Sequence, residues 1–217
     1  MQSEKHNFIP ALRFHWATKF YDPLVRWTTK EYPFKRALIA QANLNNNQSI
    51  LDLACGTGTL SIGIKKRFPN IQIFAVDADE EILQKAKNKA FERTLKIGFG
   101  QSFSDKLPFE NQKFDRVFST LSFHHLTHKD KVETINEILR VLKNDGEFHL
   151  ADYGFPINKS QKVLSNLIRV IDGLETTSDN LKGLLRKLLL ENGFTKVEKT
   201  GHFNTILGTI RLFRAFK

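Results

Sequence analysis

The sequence predicts an α/β fold in which a mostly parallel sheet of seven strands carries helices on both faces and ends in a C-terminal antiparallel hairpin. Three observations indicate this fold. Apolar and amphipathic segments alternate from residue 49 onward, a glycine-containing turn (56–58) follows the first apolar segment, and two adjacent apolar segments close the chain. Alternating strands and helices favour parallel pairing through right-handed crossovers, and two successive strands favour a hairpin.

The predicted strands are short apolar runs bounded by turn residues. The first run, SILDLA, is continuously apolar apart from a serine and an aspartate, which is typical of a buried strand. The fifth follows the turn pair Asp145-Gly146. The seven predicted strands cover 49–54, 71–77, 95–100, 114–121, 146–153, 195–203 and 207–216.

The predicted helices are indicated by charge distribution and by apolar residues at helical spacing. The segment 78–93 starts with acidic residues and continues with basic ones, as the helix dipole favours. The last predicted helix is closed by Asn192-Gly193, a common C-cap pair. The predicted helices cover 59–68, 78–93, 129–142 and two apolar stripes at 163–171 and 181–188.

Charge and cysteine content restrict the classes of protein. The chain has 217 residues and a net charge of +10, and the excess lies in the flanks 1–48 and 154–217 around a neutral centre. Such basic flanks attract nucleic acid, anionic lipid or acidic small molecules, or are simply solvated. The single cysteine, Cys55, excludes an intrachain disulfide and a cysteine-based zinc cluster. No apolar run approaches the roughly 18–20 residues of a membrane-spanning helix, and no secretory signal is evident, so we expect a cytoplasmic protein.

The turn after the first strand predicts a nucleoside site. Gly56 and Gly58 allow a ligand to approach the backbone closely. A P-loop is excluded because no Gly-Lys-Ser/Thr follows, and the dinucleotide fingerprint is incomplete because Ser61 takes its third position. Asp77 ends the second strand, where a carboxylate can accept hydrogen bonds from ribose hydroxyls. Asp52 lies inside the first strand, where it would repel a pyrophosphate but suits a cationic or hydrogen-donating ligand.

Each of these features also has a purely structural interpretation. Asp77 is placed where it could cap the following helix, and Asp52 where it could accept a local backbone hydrogen bond. The two glycines alone are consistent with an ordinary tight turn. Only the combination with motifs further along the chain favours a ligand site.

Four motifs in order resemble those of class I S-adenosylmethionine-dependent methyltransferases. They are LDLACGTG, FAVDADEEIL, LPFENQKFDRVFSTLSFHHL and LRVLKNDGEFHLADY, and together they cover about residues 50–153. The type 11 small-molecule group, which includes ubiquinone/menaquinone C-methyltransferases, is the most similar. The resemblance implies a Rossmann-like fold, S-adenosyl-L-methionine as cofactor and S-adenosyl-L-homocysteine as product.

The resemblance also implies roles for individual residues at the cofactor. The backbone of Gly56, Thr57 and Gly58 would lie against its methionyl and ribose parts, and Ala54 stands where many members have a first glycine. Asp52 would bind the ammonium group of the cofactor, and Asp77 would bind its ribose hydroxyls. The other implied cofactor contacts are Ala78 on the adenine, Phe103 and Ser104 at the adenine border, Thr120 and Leu121 on the sulfonium side, and Tyr21 closing over the sulfur.

Phe103 is a departure from the family pattern, since many members have Asp or Asn there to bind the adenine amino group. Phenylalanine can only stack or pack, so Ser104 or backbone groups would have to recognise the adenine. By the same resemblance, residues 1–48 would form an N-terminal helical lid segment and residues 49–217 a Rossmann-like methyltransferase domain. A helical insertion at about 157–192 would form part of the acceptor pocket.

Candidate catalytic residues follow the fourth and fifth strands and lie in the lid. His124 and His125 come after the fourth strand, and either could act as a base; a structural role at the strand end is the alternative. Asp152 ends the fifth strand, and Tyr21 lies in the aromatic stretch 14–27. Although His128 is close in sequence, no third ligand is suitably spaced, so we expect no metal site.

A small, apolar or amphipathic methyl acceptor is the favoured substrate class. The segment STLS after the fourth strand lacks the Asp/Asn-Pro-Pro-aromatic motif of amino-methylating nucleic-acid enzymes. The basic flanks suggest peripheral contact with an anionic membrane. A nucleic-acid methyltransferase, a cofactor-binding regulatory or scaffold protein without turnover, and a nicotinamide-dependent oxidoreductase stay as alternatives, and the oligomeric state is left open.

Overall fold

The computed structural model describes residues 31–155, 176–206 and 208–217. Within these ranges the strands are β1 (Ser49–Leu53), β2 (Gln72–Asp77), β3 (Gly98–Gln101), β4 (Phe114–Thr120), β5 (Leu142–Gly154), β6 (Lys196–Asn204) and β7 (Thr209–Phe216). The helices are α1 (Glu31–Gln41), α2 (Thr59–Arg67), α3 (Glu80–Phe91), α4 (His128–Val141), α5 (Ser178–Leu181) and α6 (Leu185–Glu191), together with a 3₁₀ turn at Phe123–His125.

The strands form one seven-stranded sheet in the order β3-β2-β1-β4-β5-β7-β6. Pairing is parallel from β3 to β5, and β7 runs antiparallel to both β5 and β6. The predicted α/β fold with a C-terminal antiparallel hairpin is therefore confirmed. Because β1 connects to β2 on one side and β4 lies on its other side, the chain reverses its winding direction between β1 and β4, which creates a crevice at the carboxyl ends of these strands.

Helices cover both faces of the sheet. On one face, α1 and α2 pack Phe34, Leu38 and Ile64 against the apolar side chains of β1 and β4. On the other, α4 and α6 bury their apolar stripes, including Ile135 and Leu188, against β4 and β5. The hydrophobic core thus consists of two layers that share the central strands, and this rigid arrangement fixes the strand ends that border the crevice.

The amino-terminal flank is described only in part. Helix α1, which lies inside the predicted lid segment, packs on the sheet as part of the core. The aromatic stretch 14–27 with Tyr21 lies outside the described residues, and so do residues 156–175, which include the first half of the predicted insertion. The lid and the insertion as functional units therefore stay predictions. No helix in the described ranges has the length and apolarity that crossing a bilayer would require.

Two strand boundaries differ from the sequence prediction by more than two residues. Strand β3 starts at Gly98 rather than at residue 95, because Thr94 adopts a positive φ and the backbone N–H of Leu95 donates back to Ala90 to close α3. Strand β5 starts at Leu142 rather than at 146, because Leu142 pairs with Phe114 before a register shift in the β4–β5 ladder. Neither difference alters the carboxyl ends of the strands.

Candidate functional site

The strand ends bring most of the predicted site residues to one edge of the sheet. Leu53 is paired with Val76 on one side and with Ser119 on the other, so the segments that follow β1, β2 and β4 leave the sheet side by side. Asp77 is paired with Gln101, which places residues 102–104 next to the end of β2. The edge therefore collects the loop 54–58, Asp77 with Ala78, residues 102–104 and Thr120 with Leu121.

The loop after β1 has the backbone conformation that its glycines predict. Ala54, Gly56 and Gly58 all have positive φ, at 54°, 55° and 73°. A Cβ atom on Gly58 would lie 3.0 Å from the Cβ of Ala86, so this position is closed by the packing of α3. A Cβ atom on Gly56 would meet no atom within 4 Å. Gly56 therefore borders open space, and its backbone is available to a ligand.

Asp77 connects the end of β2 with this loop. One carboxylate oxygen accepts a hydrogen bond from the backbone N–H of Gly56 at 2.8 Å, and the other accepts from the N–H of Asp79 at 3.0 Å. Burial raises the pKa of Asp77, and backbone hydrogen bonds from Asp79, Gly56 and Ala78 oppose that effect. The helix cap proposed as an alternative role for Asp77 belongs to Asp79, whose side chain accepts hydrogen bonds from Glu81 and Ile82.

Asp52 is fully buried beneath the loop. Its Oδ2 accepts hydrogen bonds from the hydroxyl of Ser61 at 2.6 Å and from the Ser61 backbone N–H at 3.2 Å, whereas its Oδ1 has no hydrogen-bond partner among the described residues. Burial is the main cause that raises the pKa of Asp52 to about 6, and the Ser61 hydroxyl acts in the opposite direction. A buried carboxylate oxygen without a partner is energetically costly, and such atoms are concentrated at functional sites.

The segment after β3 is arranged differently from the simplest sequence prediction. The Ser104 hydroxyl is hydrogen-bonded to Thr134 of α4 at 2.7 Å, so it is engaged with the protein rather than with the crevice. The Phe103 side chain is 42% exposed, which suits a stacking surface. The Gln101 amide donates to the carbonyl of Ala78 at 3.0 Å and fixes the backbone at the end of β2.

The segment after β4 also has an uncommon backbone conformation. Leu121 has a φ of 54°, which is rare for a residue with a branched side chain. Its N–H donates to the carbonyl of Ala151 at 2.9 Å, and the hydroxyls of Ser119 and Ser122 are hydrogen-bonded to each other at 2.6 Å. These bonds hold Thr120 and Leu121 at the crevice, where strained residues are typical of functional sites.

Asp152 organises the 3₁₀ turn from within the protein. The carboxylate is fully buried, and Oδ2 accepts hydrogen bonds from the backbone N–H groups of Ser122 and Phe123 at 3.1 and 2.7 Å. Oδ1 lies 2.7 Å from Nδ1 of His124 and also accepts from the N–H of Tyr153. Asp152 therefore has no free face toward a substrate, which argues against the predicted role as a base.

The two adjacent histidines have different surroundings. His124 is buried against Asp152, whereas His125 is exposed at the carboxyl end of β4. Their ring centroids lie 3.9 Å apart. The charge of His124 is the main cause that lowers the pKa of His125, so the exposed ring is neutral near pH 7. Among the described residues, no group of three His, Cys, Asp or Glu side chains could hold a metal ion.

A second buried polar group lies beside this turn. The ammonium group of Lys131, a fully buried residue, donates to the carbonyl of Thr176 at 2.7 Å and lies 3.4 Å from Asp179, which also contacts His128. Asn180 donates to the carbonyl of Tyr153 at 3.1 Å. These contacts attach α5 to α4 and to the end of β5.

A family model described as "Methyltransferase domain" matches residues 50–146. This range contains β1 to β4, α2 to α4 and the glycine loop.

Residues 50–146 belong to the methyltransferase domain family.

A curated relative of this chain is named a methyltransferase, and two solved structures share its fold. The chain is 32% identical over 129 residues to the ubiquinone/menaquinone biosynthesis C-methyltransferase UbiE of Pseudomonas entomophila, a match that covers 58% of this chain and 50% of that protein. The chain thus spans about half the length of this relative. The YcgJ protein of Bacillus subtilis superposes with a TM-score of 0.70 at 18% identity, covering 84% of this chain and 97% of that one.

A Haemonchus contortus phosphoethanolamine N-methyltransferase 2 was solved with phosphomonomethylethanolamine and S-adenosylhomocysteine. It superposes on this methyltransferase with a TM-score of 0.70 at 16% identity, covering 86% of this chain and 53% of that one. At such identities the two structures support the fold alone.

Several residues that shape the site of this methyltransferase were not anticipated from the sequence. Ser61 was noted only because it interrupts the dinucleotide fingerprint, yet it is the hydrogen-bond donor that holds Asp52. Gln101 and Lys131 were not singled out by any sequence pattern. Their partners are 23 and 45 residues away in the chain, so no local pattern could have indicated them.

Proposed function

We propose that this protein binds S-adenosylmethionine at the carboxyl ends of β1, β2 and β4 and transfers its methyl group to a small, apolar or amphipathic acceptor. The observation that carries the proposal is the Asp77–Gly56 contact beside open space: a glycine backbone and a carboxylate meet at the switch point of the sheet.

The residues present fit the cofactor. Its amino-acid end carries an ammonium group, and the unpartnered Oδ1 of Asp52 supplies an acceptor for it, directly or through water. Its sugar carries two hydroxyls, and the carboxylate of Asp77 at the end of β2 is the acceptor we assign to them. The Gly56 side of the loop leaves room for the adenosyl group. Because the cofactor has no phosphate, the two carboxylates near the loop attract rather than repel it.

The reaction mainly requires alignment and exclusion of water. When bound, S-adenosylmethionine supplies a methyl group on a positively charged sulfur. We assign Thr120 and Leu121 to the sulfonium side, where the Leu121–Ala151 hydrogen bond holds their backbone. His125 is the residue we assign as proton acceptor, because its ring is neutral, whereas His124 and Asp152 are buried. Tyr21 would close the site from the lid.

Two observations support an apolar or amphipathic methyl acceptor: the name of a relative and the exposed apolar side chains near β5. The relative from Pseudomonas entomophila is a C-methyltransferase of quinone biosynthesis by name, and a quinone precursor is an aromatic hydroxyl compound with an apolar tail. Phe155, Leu184 and Ile206 are exposed apolar side chains near the carboxyl end of β5 and at the β6–β7 turn. They suit such a tail. The basic flanks suit an acceptor presented by an anionic membrane.

Labelled methyl transfer tests this function. Purified protein is incubated with methyl-labelled S-adenosylmethionine and with lipid, aqueous, nucleic-acid and protein fractions of a cell extract. We expect label in the lipid fraction, and less of it with the Asp77→Ala variant when the cofactor concentration is below saturation. Label in the nucleic-acid fraction would favour a nucleic-acid methyltransferase. Absence of label from every fraction despite cofactor binding would favour a regulatory protein without turnover.

Peripheral membrane contact is tested separately. Flotation with vesicles of neutral lipid and of mixed neutral and anionic lipid compares the two surfaces at several salt concentrations. We expect binding only to the anionic vesicles and its loss as salt rises. Equal and negligible binding to both would remove this part of the proposal.

A further inference from the structure

Helix α1 has its first turn at the crevice. At the other end of the helix, Gln41 donates to the carbonyl of Phe213, and the carbonyl of Ala42 accepts a hydrogen bond from Arg116 near the start of β4. The helix has 11 residues, so it is about 16 Å long and reaches across the sheet. Its first residue, Glu31, therefore lies near the carboxyl ends of the parallel strands.

Lys35 lies on the side of α1 that faces α2 and the glycine loop. A Cβ atom on Gly63 of α2 would lie 3.6 Å from Cδ1 of Ile39, so the two helices are in contact there. Lys35 is one helical turn nearer the crevice than Ile39, and residues four apart share a helix face. The turn of α2 at that level begins at Thr59, directly after the loop 54–58.

The side chain of Asp52 faces the same layer of helices. Side chains alternate along a strand, so Asp52 lies on the face of Ile50, which belongs to one apolar cluster with Ile64 of α2. Burial raises the pKa of both Asp52 and Cys55, and the ammonium group of Lys35 acts on both in the opposite direction. The positive charge of Lys35 therefore lies close enough to act on the buried side of the glycine loop.

Glu31 holds the ammonium group of Lys35. The two charged groups lie 2.6 Å apart, and their side chains are only 12% and 9% exposed. Because Glu31 is one helical turn closer to the crevice, this contact directs the lysine side chain towards the crevice. An ammonium group has three N–H donors, so Lys35 can bind a second anion while it keeps its contact with Glu31.

We propose that Lys35 binds the carboxylate at the amino-acid end of the cofactor. The proposal rests on the proposed function, which places the ammonium group of that end at the unpartnered Oδ1 of Asp52. The ammonium and carboxylate groups are bonded to one carbon atom, so the carboxylate then lies close to Asp52. Two carboxylates at such a distance repel each other, and a buried anion without a cation is costly. Lys35 supplies that cation, so Asp52 and Lys35 together match both charges of a zwitterion.

This arrangement predicts that the protein selects nucleosides by their amino-acid end. S-adenosylhomocysteine carries both charges, whereas its decarboxylated form, an adenosine thioether with an aminopropyl chain, carries the ammonium group alone. We expect the wild type to bind S-adenosylhomocysteine about 10- to 100-fold more tightly than the decarboxylated form, the usual range for hydrogen bonds to a charged group.

Titration calorimetry of two variants with both ligands tests the role of Lys35. Lys35→Met removes the ammonium group and keeps an unbranched side chain. Arg36→Met is the matched control, because it removes a cation from the next, exposed position of the same helix. We expect Lys35→Met to bind S-adenosylhomocysteine about 10- to 100-fold more weakly than the wild type and the decarboxylated form equally well. Arg36→Met should change neither affinity.

Two results would overturn the proposal. The first is equal affinity of the wild type for the two ligands, a result that needs no variant. The second is a Lys35→Met variant, folded by circular dichroism, that loses the same factor for both ligands or loses nothing for either. Binding of neither ligand by the wild type would instead contradict the proposed function itself, whereas both results above leave cofactor binding intact and remove only the role of Lys35.

Discussion

The carboxylate of Asp77 accepts a 2.8 Å hydrogen bond from the backbone N–H of Gly56, so the end of β2 is tied to the loop that follows β1. The contact joins residues 21 positions apart and orients the carboxylate across the mouth of the crevice. The Gly56 side of the loop faces open space, and the proposed function assigns the same carboxylate to the sugar of the cofactor.

Replacement of Asp77 should weaken cofactor binding. We expect Asp77→Ala to reduce the affinity for S-adenosylhomocysteine by about 1–3 kcal/mol, the usual loss for hydrogen bonds to a charged group. Titration calorimetry measures the change.

Asp79→Ala is the matched control for this variant. Asp79 caps α3 through Glu81 and Ile82, so its loss should lower the free energy of unfolding by about 0.5–2 kcal/mol without changing ligand affinity. Equal affinities for the wild type and Asp77→Ala would show that the ribose assignment is wrong.

The two loop glycines should respond differently to alanine. Gly58→Ala places a Cβ 3.0 Å from the Cβ of Ala86 at a positive φ, so we expect a loss of unfolding free energy of about 1–3 kcal/mol. Gly56→Ala carries only the backbone cost, about 1–2 kcal/mol, but its methyl group enters the space in front of the loop.

We therefore expect Gly58→Ala to lose more stability than Gly56→Ala, and Gly56→Ala to lose more cofactor affinity than Gly58→Ala. Urea unfolding and calorimetry on the same preparations measure both quantities. If Gly56→Ala binds S-adenosylhomocysteine as tightly as the wild type, the cofactor does not lie against that side of the loop.

The buried carboxylate of Asp52 should lower the free energy of unfolding at neutral pH. Its folded pKa of about 6 lies above the unfolded value of 3.8. The folded state therefore binds the proton more tightly, and the penalty of the ionised carboxylate develops as pH rises from about 4 to 6. We expect Asp52→Asn to be more stable than the wild type at pH 8, by about 1–3 kcal/mol, and the difference to vanish below pH 4.

Chemical unfolding of Asp52→Asn and of the wild type at pH 4, 6 and 8 measures whether the variant is the more stable of the two. Asparagine keeps an acceptor for Ser61 but loses the anionic oxygen, so affinity for S-adenosylhomocysteine should fall as stability rises. A variant less stable than the wild type at pH 8 would contradict the burial penalty.

The buried Lys131–Asp179 pair should hold α5 in place. Lys131→Met should cost about 3 kcal/mol, near the lower end for breaking a buried pair, because Asp179 keeps its contact with His128. Hydrogen exchange should speed up in residues 176–181, where Thr176 loses its donor.

A double-mutant cycle with Asp179→Asn isolates the pair. We expect the double variant to lose less stability than the sum of the single variants. Additive losses would mean that the two groups do not interact significantly.

Much of the fold could be predicted because it depends on local pattern. The apolar runs, the charge order along α3 and the Asn192-Gly193 end of α6 are features of neighbouring residues. The glycine loop was predictable for the same reason: Gly56 and Gly58 indicate positive φ, and both have it.

What the sequence could not show are contacts between distant segments. Nothing near Ser104 indicates that its hydroxyl is bound to Thr134, thirty residues away. The burial of Asp152 depends on the 3₁₀ turn folding over the end of β5, so a residue that looked like a base proved to be enclosed by backbone donors. Hydrogen-bond partners chosen by tertiary packing leave no periodic signal.

A crystal structure of the protein grown with S-adenosylhomocysteine tests the central claim most directly. We predict density between the Gly56 loop and Asp77, with both ribose hydroxyls within hydrogen-bond distance of the Asp77 carboxylate and the amino-acid end toward Asp52. An empty crevice at a ligand concentration that saturates calorimetric binding, or a ligand bound elsewhere on the protein, would contradict it.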